Sequence, residues 1–148
     1  MSYSFTGASI PVDAKTFSVD QIQNVSTMVV PQLSSTLTDA LKDRFSRQTR
    51  LSQIREDGDM SFAGEITNYV SSPIAVTGDE YASMNRLTVT VKIRFTNKFK
   101  PEESFDKSFS AYEDYDSNKL MQEVEPVLIP QIVEKLVEDI FNASVSNW

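Results

Sequence analysis

The spacing of hydrophobic residues predicts an amphipathic α-helix over residues 31–48. Four large apolar side chains recur every four positions and fall on one side of a helix: Leu33, Leu37, Leu41 and Phe45. Pro31 stands where a first-turn proline is common. The other positions are mainly Ser, Thr and charged residues, so this helix has one apolar stripe to bury.

From residue 51 to residue 113 the hydrophobic period changes to two, as in β-strands. The clearest strand is 86–96, where apolar and polar residues alternate throughout. Strands are also predicted at four other places: 15–23, 51–54, 60–70 and 104–113. Such alternation is typical of a sheet with one buried and one solvated face.

The C-terminal segment is predicted to be helical. Asp116, Ser117 and Asn118 offer side chains that can cap a helix N-terminus. Apolar residues then recur at intervals of three and four: Leu120, Val124, Val127, Leu128, Ile132, Leu136, Ile140 and Phe141. Pro126 and Pro130 interrupt this pattern, so we expect a kink or a restart there.

The predicted elements favour an α+β fold. Four longer strands and two helices follow one another in the order β-α-β-β-β-α. Helices packed on one face of a mainly antiparallel four-stranded sheet form a two-layer sandwich. Because no repeat or long linker divides the chain, residues 1–148 are predicted to form a single domain.

The composition excludes several classes of site. The 148 residues include no Cys and no His, which removes disulfides, zinc and haem sites built on these residues, thiol nucleophiles and Ser-His-Asp triads. A net charge of −7 has the wrong sign for a nucleic-acid binder. No carboxylate pair stands out either, so we expect a protein that is not an enzyme and needs no cofactor.

Two acidic segments have carboxylates spaced closely enough to suggest ion binding. Asp114, Asp116, Asn118 and Glu125 have the spacing of calcium-loop ligands, but Lys119 occupies the position that needs Gly. The favoured interpretation is a helix N-terminus, where acidic side chains interact with free N–H groups. Residues 56–59 are interpreted as a solvated hairpin turn between two strands. No metal site is therefore predicted.

The basic residues, in contrast, are clustered. Ten of the fourteen lie in two short windows. The first, at the end of the predicted first helix, contains Lys42, Arg44, Arg47, Arg50 and Arg55. The second, on and after the clearest strand, contains Arg86, Lys92, Arg94, Lys98 and Lys100. Such clusters are typical of surfaces that bind phosphate or carboxylate groups. They are equally explained by cations that stabilise the C-terminal end of a helix or keep an exposed sheet face soluble.

The strand cluster gives the sharper hypothesis. Arg86, Lys92 and Arg94 project from one face of the strand, with threonines between them. A face of hydroxyls and cations could bind the anionic head group of a glycolipid, and it would serve an acidic protein partner equally well.

Several stretches of the chain resemble the LptE family of lipopolysaccharide-assembly lipoproteins. They cover nearly the whole sequence in the family's order: YSFTGASIP at 3–11, GEITNY at 64–69 followed by Pro73, NRLTVTV at 85–91, FSAY at 109–112 and DIFNxxVSNW at 139–148. The specificity lies in the series, because no single stretch is a catalytic signature.

The resemblance implies a two-helix, four-stranded sandwich and a function. Family members are lipid-anchored at the periplasmic face of the outer membrane, act as the plug and assembly partner of the LptD β-barrel, and help to deliver lipopolysaccharide to the outer leaflet. They begin with an acylated Cys, which this sequence lacks; we expect Met1-Ser2 to stand in place of the signal peptide and that Cys. The resemblance aligns no lipopolysaccharide-contacting residue securely, so Arg86, Lys92 and Arg94 come from the strand pattern.

Two other functions remain open on the sequence. A free-standing periplasmic ligand-binding domain would need a concave pocket lined by some of the nine Phe and five Tyr residues. A carboxylate-type enzyme would need two close carboxylates with displaced pKa values.

Overall fold

Six strands form one sheet in the computed structural model, which describes residues 10–28, 30–74 and 83–145. The strands are β1 (Thr16–Val19), β2 (Gln23–Asn24), β3 (Ser52–Gln53), β4 (Met60–Ile74), β5 (Met84–Asn97) and β6 (Phe105–Asp116). Their order is β3-β1-β4-β5-β6, and β2 pairs with β4 farther along the same edge as β1. The three long strands are antiparallel, whereas β1, β2 and β3 run parallel to their neighbours.

Two helices, α1 (Pro31–Gln48) and α2 (Met121–Val145), cover one face of the sheet. Phe45 of α1 brings the layers together, since its ring centroid lies 4.8 Å from that of Phe62 in β4 and 5.0 Å from that of Phe141 in α2. Further ring contacts continue across the sheet to Phe95, Phe105 and Phe109. The predicted α+β two-layer fold is confirmed.

The strand count differs from the prediction because short strands depend on distant partners. The predicted four-stranded sheet counted only the longer strands, and the sheet has six because two strands of two residues each also join it. One of them, β3, lies inside the short strand predicted at 51–54. The predicted strand 15–23 is divided between β1 and β2. After β1 the chain still contacts the sheet and α1: Asp20 N–H donates to the Phe62 carbonyl and Ile22 N–H to the Thr38 hydroxyl.

The acidic turn 56–59 is not the hairpin turn that the sequence indicated. The strands on either side of it, β3 and β4, both pair with β1, which lies between them. The turn therefore passes over β1, where Gly58 N–H donates to the buried Ser18 hydroxyl at 2.9 Å. A Cβ at Gly58 would come within 2.5 Å of the Phe17 backbone, so only glycine fits this crossing.

Helix α2 runs without a break through both prolines, so of the expected kink or restart the restart is wrong. Pro126 and Pro130 lack an N–H and leave the carbonyls of Gln122 and Pro126 without their usual helical donor. Both prolines are exposed, and the burial of Val124 and Leu128 holds this part of the helix on the sheet. The helix also begins after the predicted caps: Asp116 accepts from Asn118 N–H within a preceding turn.

Candidate functional site

The sheet face opposite the helices, called the open face below, carries the strand cluster of basic residues. Along β5 the side chains alternate as predicted, with Leu87, Val89, Val91, Ile93 and Phe95 buried under the helices. Arg86, Lys92 and Arg94 lie on the open face with the threonines of the same strand. The sheet therefore places all three candidate binding residues on one surface.

Arg86 is held by residues of β6. Its Nε and Nη2 donate to the two carboxylate oxygens of Asp114 at 2.8 and 3.2 Å, and its guanidinium lies 3.8 Å from the centroid of the Tyr112 ring. The hydrogen bond from Arg86 holds the pKa of Asp114 below its usual range. This two-point pairing and the ring contact fix the guanidinium in the sheet.

Lys92 and Arg94 are held less tightly. Both approach the single carboxylate of Asp106, the lysine Nζ at 3.9 Å and the arginine Nε at 3.6 Å. Their side chains are 52% and 69% exposed, compared with 35% for Arg86. Exposed pairs at such distances contribute about 0–1 kcal/mol, so both cations can turn to another anion at little cost.

Acidic neighbours make the open face mixed in charge rather than cationic. The β5–β6 register places Asp114 opposite Arg86 and Asp106 opposite Arg94. Glu65 of β4 lies opposite Lys92 on the other side. These acids belong to β4 and β6 and so lie outside the basic window of the sequence. The turn that joins β5 to β6 could have revealed them, since a hairpin sets which residues face each other.

Two shallow depressions on the open face meet at Arg94. One, of about 200 Å³, is lined by Gly64, Glu65, Lys92 and Asp106 as well as Arg94. The other, of about 260 Å³, extends toward the turn over β1. Arg94 can therefore reach a group bound in either depression.

The basic residues at the end of α1 are dispersed. Arg44 pairs with Glu138 of α2 at 3.1 Å, and Arg47 pairs with Asp43 at 2.8 Å. Arg50 donates to the carbonyls of Pro11 and Ala14. The remaining two members, Lys42 and Arg55, form no ion pair with the residues that the structure describes. Three of the five residues in this cluster are thus bonded to groups within the chain itself.

The residues with calcium-loop spacing lie apart. Asp114 belongs to the ion pair with Arg86, while Glu125 in α2 accepts a hydrogen bond from the hydroxyl of Tyr69. Burial, together with this carboxylate, raises the pKa of Tyr69. Within residues 10–28, 30–74 and 83–145, no group of three acidic side chains is arranged to hold a metal ion. In the same part of the chain, neither helix combines the length and apolarity that crossing a membrane requires.

Solved structures with the same fold include two bacterial lipoproteins and a hemagglutinin homolog. A minor lipoprotein from Acinetobacter baumannii is 12% identical, with a TM-score of 0.50 over 90% of this chain and 97% of its own. An uncharacterized lipoprotein B from Nitrosomonas europaea is 10% identical, with a TM-score of 0.54 over 95% and 88%. A putative neuraminyllactose-binding hemagglutinin homolog from Helicobacter pylori is 12% identical, with a TM-score of 0.54 over 95% and 88%. At these identities the likeness shows the fold alone.

The sequence itself identifies the family. A search of curated proteins gave no match. The lipopolysaccharide-assembly family model LptE, however, matches residues 14–144, which include every strand and all but the last residue of α2. The resemblance found in the sequence is thereby confirmed, and the chain belongs to the LptE family of lipopolysaccharide-assembly proteins.

Proposed function

We propose that this protein is a non-enzymatic, lipid-anchored partner of an LptD-type β-barrel at the periplasmic face of the outer membrane. There it plugs the barrel, assists its assembly and helps to pass lipopolysaccharide to the outer leaflet. The observation that carries the proposal is the family match over residues 14–144.

The open face suits contact with the polar inside of a barrel. The interiors of outer-membrane barrels are polar, so a plug must present polar surface to them. Hydroxyl groups of Thr88, Thr90 and Ser110 lie between the ion pairs of this face, and the hydroxyls of Thr90 and Ser110 are 3.1 Å apart. Because each cation of this face has an acidic partner, the face can approach such a wall without a large net repulsion of either sign.

Within this function, Lys92 and Arg94 are the proposed contacts for phosphate groups of lipopolysaccharide. Both are exposed, both border the same depression, and their shared pairing with Asp106 is weak enough to exchange. A cation that donates to phosphate forms a charge-assisted hydrogen bond of about 1.5–3 kcal/mol. Arg86 has a supporting role, since it is engaged with Asp114 and Tyr112.

This assignment predicts that the double substitution Lys92→Gln with Arg94→Gln weakens lipopolysaccharide binding by roughly tenfold or more, because two charge-assisted bonds are lost. Binding of purified lipopolysaccharide can be measured by fluorescence competition. Lys107→Gln with Lys119→Gln is the matched control, since it removes the same charge from exposed residues outside the open-face cluster. Equal weakening in both proteins would show that net charge, and not this face, governs binding.

The function itself is tested by depleting the protein from its native cell. Newly made lipopolysaccharide should then fail to reach the cell surface, and the amount of assembled barrel should fall. Unchanged surface lipopolysaccharide would contradict the proposal. The alternative, a free-standing ligand-binding domain, receives less support, because seven of the nine Phe rings contact one another instead of lining a pocket.

A further inference from the structure

The distal part of β4 has an outer edge without a backbone partner among the described residues. β1 and β2 cover the first part of this edge, and the last bond on that side runs from Val25 N–H to the Ile66 carbonyl at 2.9 Å. Beyond it, β4 continues to Ile74, and among residues 10–28, 30–74 and 83–145 its partner there is β5 on the inner side. Alternate residues of 67–74 therefore point N–H and C=O groups outward without a backbone partner among the described residues, and another strand can be added there.

The two long edges of the sheet differ in how they are protected. The edge strand β6 carries five charged residues: Asp106, Lys107, Glu113, Asp114 and Asp116. In addition, Lys135 of α2 donates to the backbone carbonyl of Tyr112 at 2.8 Å. Residues 67–74 of β4, with the sequence TNYVSSPI, carry no charge, and only Pro73 near the end interrupts the row of donors. Charged side chains are a usual protection of strand edges, so the β4 edge is open to pairing and the β6 edge is not.

We propose that two copies of this chain associate through residues 67–74 of β4, antiparallel about a two-fold axis close to Val70. A strand edge is complementary to itself under such an axis. A chain with a net charge of −7 repels its copy, and residues 67–74 carry no charged side chain that would add like-charge contacts to the pairing. Val70 and Val25, 41% and 57% exposed, lie on or beside the edge and would be covered. The inference does not depend on the proposed function.

A single introduced cysteine tests the pairing, because the natural chain contains none. If the axis lies near Val70, Val70→Cys in one copy faces Val70→Cys in the other at the spacing of opposed residues, which a disulfide can bridge. Ser108→Cys is the matched control: it is exposed on the same face of the sheet, but in the edge strand β6. Under mild oxidation we expect roughly tenfold more covalent dimer from Val70→Cys than from Ser108→Cys.

The second measurement is sedimentation velocity of the full chain over a range of concentrations. The unmodified protein and Ser108→Lys should dimerise, whereas Val70→Lys should weaken dimerisation by about tenfold, because it opposes two like charges across the axis. Far-ultraviolet circular dichroism shows whether each variant is folded; the exposed Val70 side chain leaves the core intact. A monomer at every concentration, equal crosslinking at the two positions, or a dimer that persists in folded Val70→Lys would overturn the proposal.

Discussion

Asp59 connects β1 to the start of β4 through a single side chain. One carboxylate oxygen accepts the backbone N–H groups of Lys15 and Thr16 at 2.8 and 3.2 Å, and the Asp59 N–H donates to the Thr16 hydroxyl. The hydrogen bond from Lys15 is the largest reason why the pKa of Asp59 is below its usual value. The parallel pair β1–β4 has few residues, so these side-chain bonds matter to its stability.

We predict that Asp59→Asn lowers the free energy of unfolding by about 1 kcal/mol at neutral pH, because charge-assisted bonds become neutral ones. The pKa is lowered in the folded state, so the carboxylate stabilises the fold above its unfolded pKa of about 3.9. That contribution disappears as the pH falls through the folded pKa. Urea titrations should therefore show a difference between the two proteins at pH 7 that shrinks below about pH 4.

The control for this prediction is Asp57→Asn in the same turn. Asp57 has a φ of 59°, a conformation that Asn also tolerates, and its side chain accepts no hydrogen bond from the described residues. Its substitution should leave stability nearly unchanged at both pH values. A comparable loss of unfolding free energy in both variants would mean that the negative charge of the turn, and not the hydrogen bonds of Asp59, stabilises the fold.

At the site, the sequence could predict on which face of β5 the basic residues lie, but not which acidic residues they pair with. Strict alternation in β5 identified the face on which Arg86, Lys92 and Arg94 lie, because side-chain direction in a strand is a local property. Their charge partners, Asp106 and Asp114, come from another strand, so finding them required the pairing register. Without that register, a tightly held arginine could not be distinguished from two exposed cations.

At the scale of elements, hydrophobic periodicity located the long elements well. Helix α1 has the predicted bounds, and the predicted strand 86–96 lies inside β5. β3 lies inside the predicted short strand 51–54, whereas β2 could not be separated from β1 this way, because a two-residue strand is defined by its partner and has no period of its own. The crossing of residues 56–59 over β1 is likewise a matter of tertiary packing, although Gly58 was a visible local signal.

Helix α2 gives a prediction at this scale. Pro130→Ala restores an N–H that can donate to the Pro126 carbonyl, and the site is exposed within an unbroken helix. We expect the free energy of unfolding to rise by about 1–2 kcal/mol, since the gain in the helix interior exceeds the entropy restored to the unfolded chain. The midpoint of urea unfolding provides the measurement.

Pro31→Ala is the matched control, because Pro31 begins α1, where proline is favourable and its missing N–H has no helical acceptor. This substitution should not raise the midpoint. If Pro130→Ala also failed to raise the midpoint, the new N–H at residue 130 would not be adding a stabilising hydrogen bond to the helix, and the prediction would be wrong.

At the scale of the whole molecule, the two faces of the sheet have separate tasks. One is covered by α1 and α2 and contains the aromatic core. The other bears hydroxyls, paired charges and the exposed Lys92 and Arg94, which is the surface that the proposed barrel and lipopolysaccharide contacts would use. Family membership rests on residues 14–144 taken together, and no local motif could have replaced it.

The most direct test of the proposed function is to find the partner. The tagged protein, with a cleavable signal and an N-terminal Cys, should be expressed in its native cell and recovered from the outer membrane in mild detergent. Mass spectrometry of the purified material should show one large β-barrel protein in a one-to-one ratio. Recovery from the envelope with no barrel protein would contradict the account and would favour the free-standing ligand-binding domain.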